Sequence, residues 1–72
     1  MTRTFKDVKE LGSNIAGTDG LFFLDPAQDI AAVHVGFLKD GKIVTKTISI
    51  GQASADPNLE DLLKNLKGEL DK

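Results

Sequence analysis

Residues 31–50 read AAVHVGFLKDGKIVTKTISI, and the pair Asp40-Gly41 near their middle decides the fold. A two-residue hairpin turn needs positive φ at both central positions, and Asp-Gly tolerates that conformation well. Placing the turn there sets a register. Phe37 faces Val44, Val35 faces Lys46, Val33 faces Ile48 and Ala31 faces Ile50. One face of the ribbon is then apolar apart from Lys46. The other carries Ala32, His34, Gly36, Leu38, Ile43, Thr45, Thr47 and Ser49. Turn chemistry and side-chain alternation are separate signals, and their agreement marks a specified hairpin.

Upstream, Leu21-Phe22-Phe23-Leu24 is an apolar run with turn residues on both sides, and it reads as a first strand. A five-residue connection, Asp25-Pro26-Ala27-Gln28-Asp29, would set Leu24 against Ile30, Phe23 against Ala31 and Leu21 against Val33. Leu21 and Phe23 then join the apolar face, while Phe22 and Leu24 fall on the other. A competing reading has Asp25 capping a helix over residues 26–38, with Ile30, Ala31, His34 and Leu38 on one side. The β-branched Val33 and Val35, the helix-weakening Gly36 and the Asp-Gly turn favour the strand.

The ends of the chain read as helices. Thr4 is a candidate N-cap, and Phe5, Val8, Leu11 and Ile15 recur on one helical stripe. Gly12 weakens that helix and predicts its end nearby, leaving residues 12–20 as a glycine-containing loop. Residues 51–55 read as a small-residue loop. Asp56-Pro57-Asn58-Leu59-Glu60 has the pattern of a helix start, with Asp56 as cap and Pro57 in the first position. Leu59, Leu62, Leu63, Leu66 and Leu70 then form one stripe. The expected architecture is α+β. Residues 1–72 form one domain in the order α-β-β-β-α, with an antiparallel meander of strand order 1-2-3 and helices packed on one face.

Composition narrows the chemistry. At 72 residues and 7.7 kDa, a chain of this size buries about 60% of its unfolded surface, enough for one thin core. There is no cysteine, which excludes disulfides and thiolate metal sites, and a single histidine makes zinc implausible. No acidic stretch has calcium-loop spacing, and no cofactor pattern is present. Nine basic residues against eleven acidic ones leave a net charge of −2 without a basic block. Nucleic-acid contact therefore reduces to Lys39, Lys42 and Lys46, whose ordinary role is to keep a hairpin end soluble and discourage edge pairing. No apolar run reaches membrane-spanning length and no leader pattern is seen, so the expected setting is cytoplasmic, with no membrane contact.

No constellation for catalysis emerges, so the chain is read as non-enzymatic. His34 lies mid-strand beside Thr47 and has no orienting carboxylate or oxyanion site by spacing; its simplest role is a hydrogen bond to that threonine. A small-ligand or nucleotide reading would use Ser13, Asn14 and Thr18 in the 12–20 loop together with His34. Its weakness is direction: a phosphate loop runs from a strand into a helix, and this one runs from a helix into a strand. The feature without an assigned partner is the sheet face opposite the helices, with Phe22, Leu24, Ile30, His34, Leu38, Ile43, Thr45 and Thr47 on it. An apolar patch of this kind marks a contact surface unless the N-terminal helix covers it. The expected function is an interaction module whose partner is itself, as a homodimer, or another protein.

Overall fold

The computed structural model describes residues 3–72 and contains six regular elements: α1 Phe5–Ala16, β1 Leu21–Pro26, β2 Ala32–Lys39, β3 Lys42–Ser49, α2 Ile50–Ala55 and α3 Leu59–Leu70. The strands form one antiparallel sheet of order β1-β2-β3. This is the α+β meander expected from the sequence, with a short additional helix, α2.

The hairpin between β2 and β3 forms as the turn chemistry requires. Asp40 has φ 52° and Gly41 φ 80°, both positive, as a primed two-residue turn demands. Val33 pairs with Ile48, His34 with Thr47, Val35 with Lys46, Gly36 with Thr45 and Phe37 with Val44. The pairing expected between Ala31 and Ile50 survives as a single bond, from the Ile50 N–H to the Ala31 carbonyl at 2.8 Å. Ile50 itself has turned into α2.

The β1–β2 pairing corrects the sequence reading. Leu21 lies opposite Leu38, Phe22 opposite Phe37, Phe23 opposite Gly36, Leu24 opposite Val35 and Asp25 opposite His34. The ladder runs on to an Ala27 N–H bond to the Ala32 carbonyl at 3.2 Å, closing residues 28–31 into the connection. Relative to the expected register, β1 has slipped by five residues. An odd slip moves every side chain of a strand to the other face. Phe22 and Leu24 therefore pack with the core, and Leu21 and Phe23 lie on the opposite side. Ile30 belongs to the connection rather than to a strand, and is 93% exposed. Inside that connection the Asp29 carboxylate accepts the Ala31 N–H at 2.9 Å, an Asx turn. Pro26 ends β1 on a sheet edge, where its missing N–H costs no ladder bond.

Residues 26–38 contain no helix, which settles the competing reading in favour of the strand.

Two helix assignments also change. α1 does not stop at Gly12 but continues to Ala16, so only residues 17–20 connect it to β1. The helix tolerates Gly12 because the Phe22 ring sits where a Cβ of that residue would lie. The buried side of α1 is consequently Val8, Gly12 and Ala16, with Leu11 and Ile15 half-buried and Phe5 43% exposed. Residues 50–55, expected to be strand end and loop, form α2. Ser49 accepts the Gln52 N–H at 3.0 Å and Gln52 Oε1 accepts the Ser49 N–H at 3.3 Å, a reciprocal capping box. Thr4 and Asp7 make the same box on α1.

α3 begins at Leu59 rather than at Pro57. Asp56 closes a turn before the helix instead of capping it: its carboxylate accepts the Asn58 N–H at 2.8 Å, and its carbonyl accepts the Leu59 N–H at 3.3 Å. The residue before a proline is held away from helical geometry, and Asp56 is extended at φ −71°, ψ 119°.

All three helices lie on one face of the sheet. The core joins Val8 of α1, Val33, Val35 and Phe37 of β2, Ile48 of β3, Ala53 of α2, and Leu59, Leu63, Leu66 and Leu70 of α3. Phe22 lies against Phe37 with ring centroids 5.2 Å apart and planes tilted by 53°, within the range favoured by aromatic pairs. Leu59 and Leu63 are fully buried, and each such side chain contributes about 1.5–3 kcal/mol by leaving water.

Candidate functional site

The sheet has an open side that none of the described helices covers. Strand alternation and the observed register build it from three cross-strand rows. Nearest the Asp40-Gly41 turn lie Leu21, Leu38 and Ile43, one from each strand, exposed by 66%, 38% and 60%. The middle row is Phe23, Gly36 and Thr45, with the Phe23 ring lying across Gly36. The third row is Asp25, His34 and Thr47. Ala32 and Ser49 continue the face beyond it.

This surface is graded, with large apolar side chains at the hairpin end and polar ones at the far end. No lysine or arginine among the described strand residues points to it. Lys39, Lys42 and Lys46 share the alternation of Phe37, Val44 and Ile48, so all three project on the helix side. The three exposed apolar side chains of the first row sit next to one another rather than singly over the surface.

Of the residues expected on this face, His34, Leu38, Ile43, Thr45 and Thr47 are there. Phe22 and Leu24 are on the helix side, and Ile30 is in the connection. The register places Leu21, Phe23 and Asp25 on the face instead. Asp25 joins His34 and Thr47 only in the observed β1–β2 register, which no local turn signal specifies.

His34 Nδ1 is 2.7 Å from Thr47 Oγ1, and both side chains are exposed. Asp25 is the direct cross-strand neighbour of His34 on its other side. Carboxylate, imidazole and hydroxyl thus stand in one row, but the imidazole nitrogen beside the threonine is Nδ1. All three side chains of the row are exposed to solvent. Its evident capacity is hydrogen bonding.

The alternative sites are dispersed. Ser13 and Asn14 are helical residues on the exposed side of α1, lining a shallow surface depression with Lys6, Lys9 and Glu10. Thr18 follows the helix and donates its hydroxyl to Asp19 at 3.2 Å. The sheet separates this region from His34, so Ser13, Asn14, Thr18 and His34 do not form one site. Among the hairpin lysines, Lys39 is 3.7 Å from the Asp71 carboxylate, which also accepts from Lys67 at 2.7 Å. The Lys67 hydrogen bond holds the Asp71 carboxyl below its usual range, assisted by the charges of Lys67 and Lys39. Lys46 lines a shallow cleft with Asp56 and Asp61. Each of these two lysines has carboxylates nearby, which weakens the group as a phosphate surface.

Among the described residues, no cluster of three or more histidine, aspartate or glutamate side chains is placed to hold a metal ion, and no helix is long and apolar enough to cross a membrane. The fold and face together define a small two-layer α+β domain with one sheet surface left open. No protein-family model, curated protein or solved structure matches the chain.

Proposed function

We propose that this protein is a small non-enzymatic interaction module that binds another protein surface through its open sheet face. The observation that carries this reading is the Leu21–Leu38–Ile43 row, three neighbouring exposed apolar side chains on a strand surface that bears no lysine or arginine. Such a patch gains free energy by leaving water, at roughly 25 cal/mol per Å² of apolar area. The polar row beyond it supplies hydrogen bonds that fix orientation. A small-molecule reading lacks an enclosed cavity, and a nucleic-acid reading lacks cations on this face.

The test is amide-resolved NMR of the labelled chain, first alone across a concentration series and then titrated with extract of its own cells. Shifts or broadening at Leu21, Leu38 and Ile43, abolished by Ile43→Asp, support the reading. A face that responds in neither series overturns it. Stabilisation by a nucleotide, or binding to nucleic acid that salt abolishes, would move the assignment to those ligands.

A further inference from the structure

We propose that the occupant of the open face is a second copy of this chain, related by a two-fold axis that runs along β2. The inference rests on the interaction reading above and adds the partner and the geometry.

The row pattern selects the axis. A two-fold axis lying between two facing sheets and along β2 exchanges β1 with β3 but keeps each row at its own level. Leu21 of one copy then meets Ile43 of the other, and Leu38 meets Leu38. Phe23 meets Thr45, and Asp25 meets Thr47. Apolar side chains cover apolar side chains. An axis across the strands through the middle row would instead press Leu21, Leu38 and Ile43 onto Asp25, His34 and Thr47, desolvating a carboxylate against hydrocarbon. Moving that axis to the apolar row would leave the Phe23 row facing the hairpin turn. Of these three placements, the axis along β2 makes the patch complementary to itself, as an isologous interface requires. It also agrees with the nearly aligned packing of two sheets.

Charge leads to the same arrangement. Asp25 and His34 are the titratable strand residues of this face. No lysine or arginine occupies those strand positions; on this axis His34 meets His34 of the copy, with an Asp25 carboxylate on the neighbouring strand of each sheet. Each Asp25 carboxylate lies opposite a Thr47 hydroxyl, whose oxygen is 2.7 Å from His34 Nδ1 within its own chain. When that Nδ1–H donates to Oγ1, the hydroxyl proton is free to donate across the interface to the carboxylate. A buried carboxylate needs such a donor.

Size sets the strength. Strands about 4.8 Å apart, with a rise of about 3.3 Å per residue, give a face of roughly 14 by 26 Å. A stable standard interface buries about 800 Å² per partner. This face falls below that, so the dimer is weak and concentration-dependent.

The experiment is complementation in the analytical ultracentrifuge, from about 10 μM to about 1 mM. Leu21→Lys and Ile43→Asp each alter an exposed side chain, so both variants keep the fold, which circular dichroism verifies. Each alone should associate about tenfold or more weakly than wild type. Mixed in equal amounts, they should recover association. The lysine introduced in one copy then meets the aspartate introduced in the other, and the second contact is native Leu21 with Ile43. A wild type that stays monomeric throughout overturns the second copy, while the response to extract still decides the interaction reading. A wild type that dimerises, with two weakened variants that fail to complement, overturns the axis. Variants that dimerise as well as wild type show that the dimer uses another surface, and both the copy geometry and the face fail.

Discussion

The Phe22 ring of β1 occupies the position that a Cβ on Gly12 of α1 would take. This one contact explains why α1 runs through a glycine and why Phe22 faces the helices. Alanine is the better helix former by about 1 kcal/mol, yet its methyl would overlap the near end of a ring already held against Phe37. Overpacking of this kind costs about 1–3 kcal/mol or more. Gly12→Ala should therefore lower stability, and Phe22→Leu placed on top of it should recover part of the loss. Urea midpoints of the three proteins check the sign; a stabilised Gly12→Ala would show that the ring is free to move.

The hairpin turn gives a second prediction. Gly41 sits at φ 80° with open space around it, so any penalty on substitution comes from the backbone. Gly41→Val should destabilise by more than about 1 kcal/mol, because a β-branched residue is strained at positive φ. Equal denaturation midpoints would count against that strain.

Leu63 lies at the middle of the α3 stripe and is fully buried. Leu63→Ala should cost about 2–5 kcal/mol, a large part of the stability of a small domain. Thermal melting followed by circular dichroism measures it. A loss below about 0.5 kcal/mol would mean the site collapses around the missing atoms far better than packed cores do.

Two carboxylates make stability depend on acid pH. The Thr4 backbone N–H and hydroxyl hold the Asp7 carboxyl below its usual range, and the Lys67 hydrogen bond does the same for Asp71. A group whose folded value is depressed contributes fully above the unfolded value of about 3.9 and loses that contribution as pH falls through the folded value. Stability should fall as the solution is acidified below about pH 4. Asp71→Asn should flatten that dependence. Urea midpoints from about pH 5 to about pH 2 provide the measurement, and parallel pH profiles for the two proteins would refute the assignment to Asp71.

The caps are testable separately. Ser49 ends β3 and caps α2 through a reciprocal pair with Gln52. Ser49→Ala should cost about 0.5–2 kcal/mol. Amide exchange in α2 should accelerate while the centre of β2 stays protected. Uniform acceleration throughout would mean that α2 opens only with the whole domain.

How far the sequence reaches differs from element to element, and the reason is locality. The β2–β3 register could be read directly because Asp40 and Gly41 demand one turn geometry and the flanking residues alternate in phase with it. The leucine stripe of α3 and the Thr4 cap of α1 are equally local. The Ser49–Gln52 box was also in the sequence, but the β-favouring run of threonine and isoleucine before it reads as a strand that continues. The β1–β2 register was not legible. Residues 21–24 are apolar at every position, so either face of β1 satisfies the hydrophobic pattern, and the connection after it has no obligatory turn residue. Tertiary packing made the choice, with Phe22 fitting over Gly12 and Phe23 lying across Gly36. That choice brought Leu21, Phe23 and Asp25 to the open face and took Phe22 and Leu24 away from it. Local turn and cap chemistry determined the β2–β3 hairpin and the start of α1 from sequence alone. The composition of the open face was decided only when two glycines far apart in sequence accepted two adjacent rings on opposite sides of one strand.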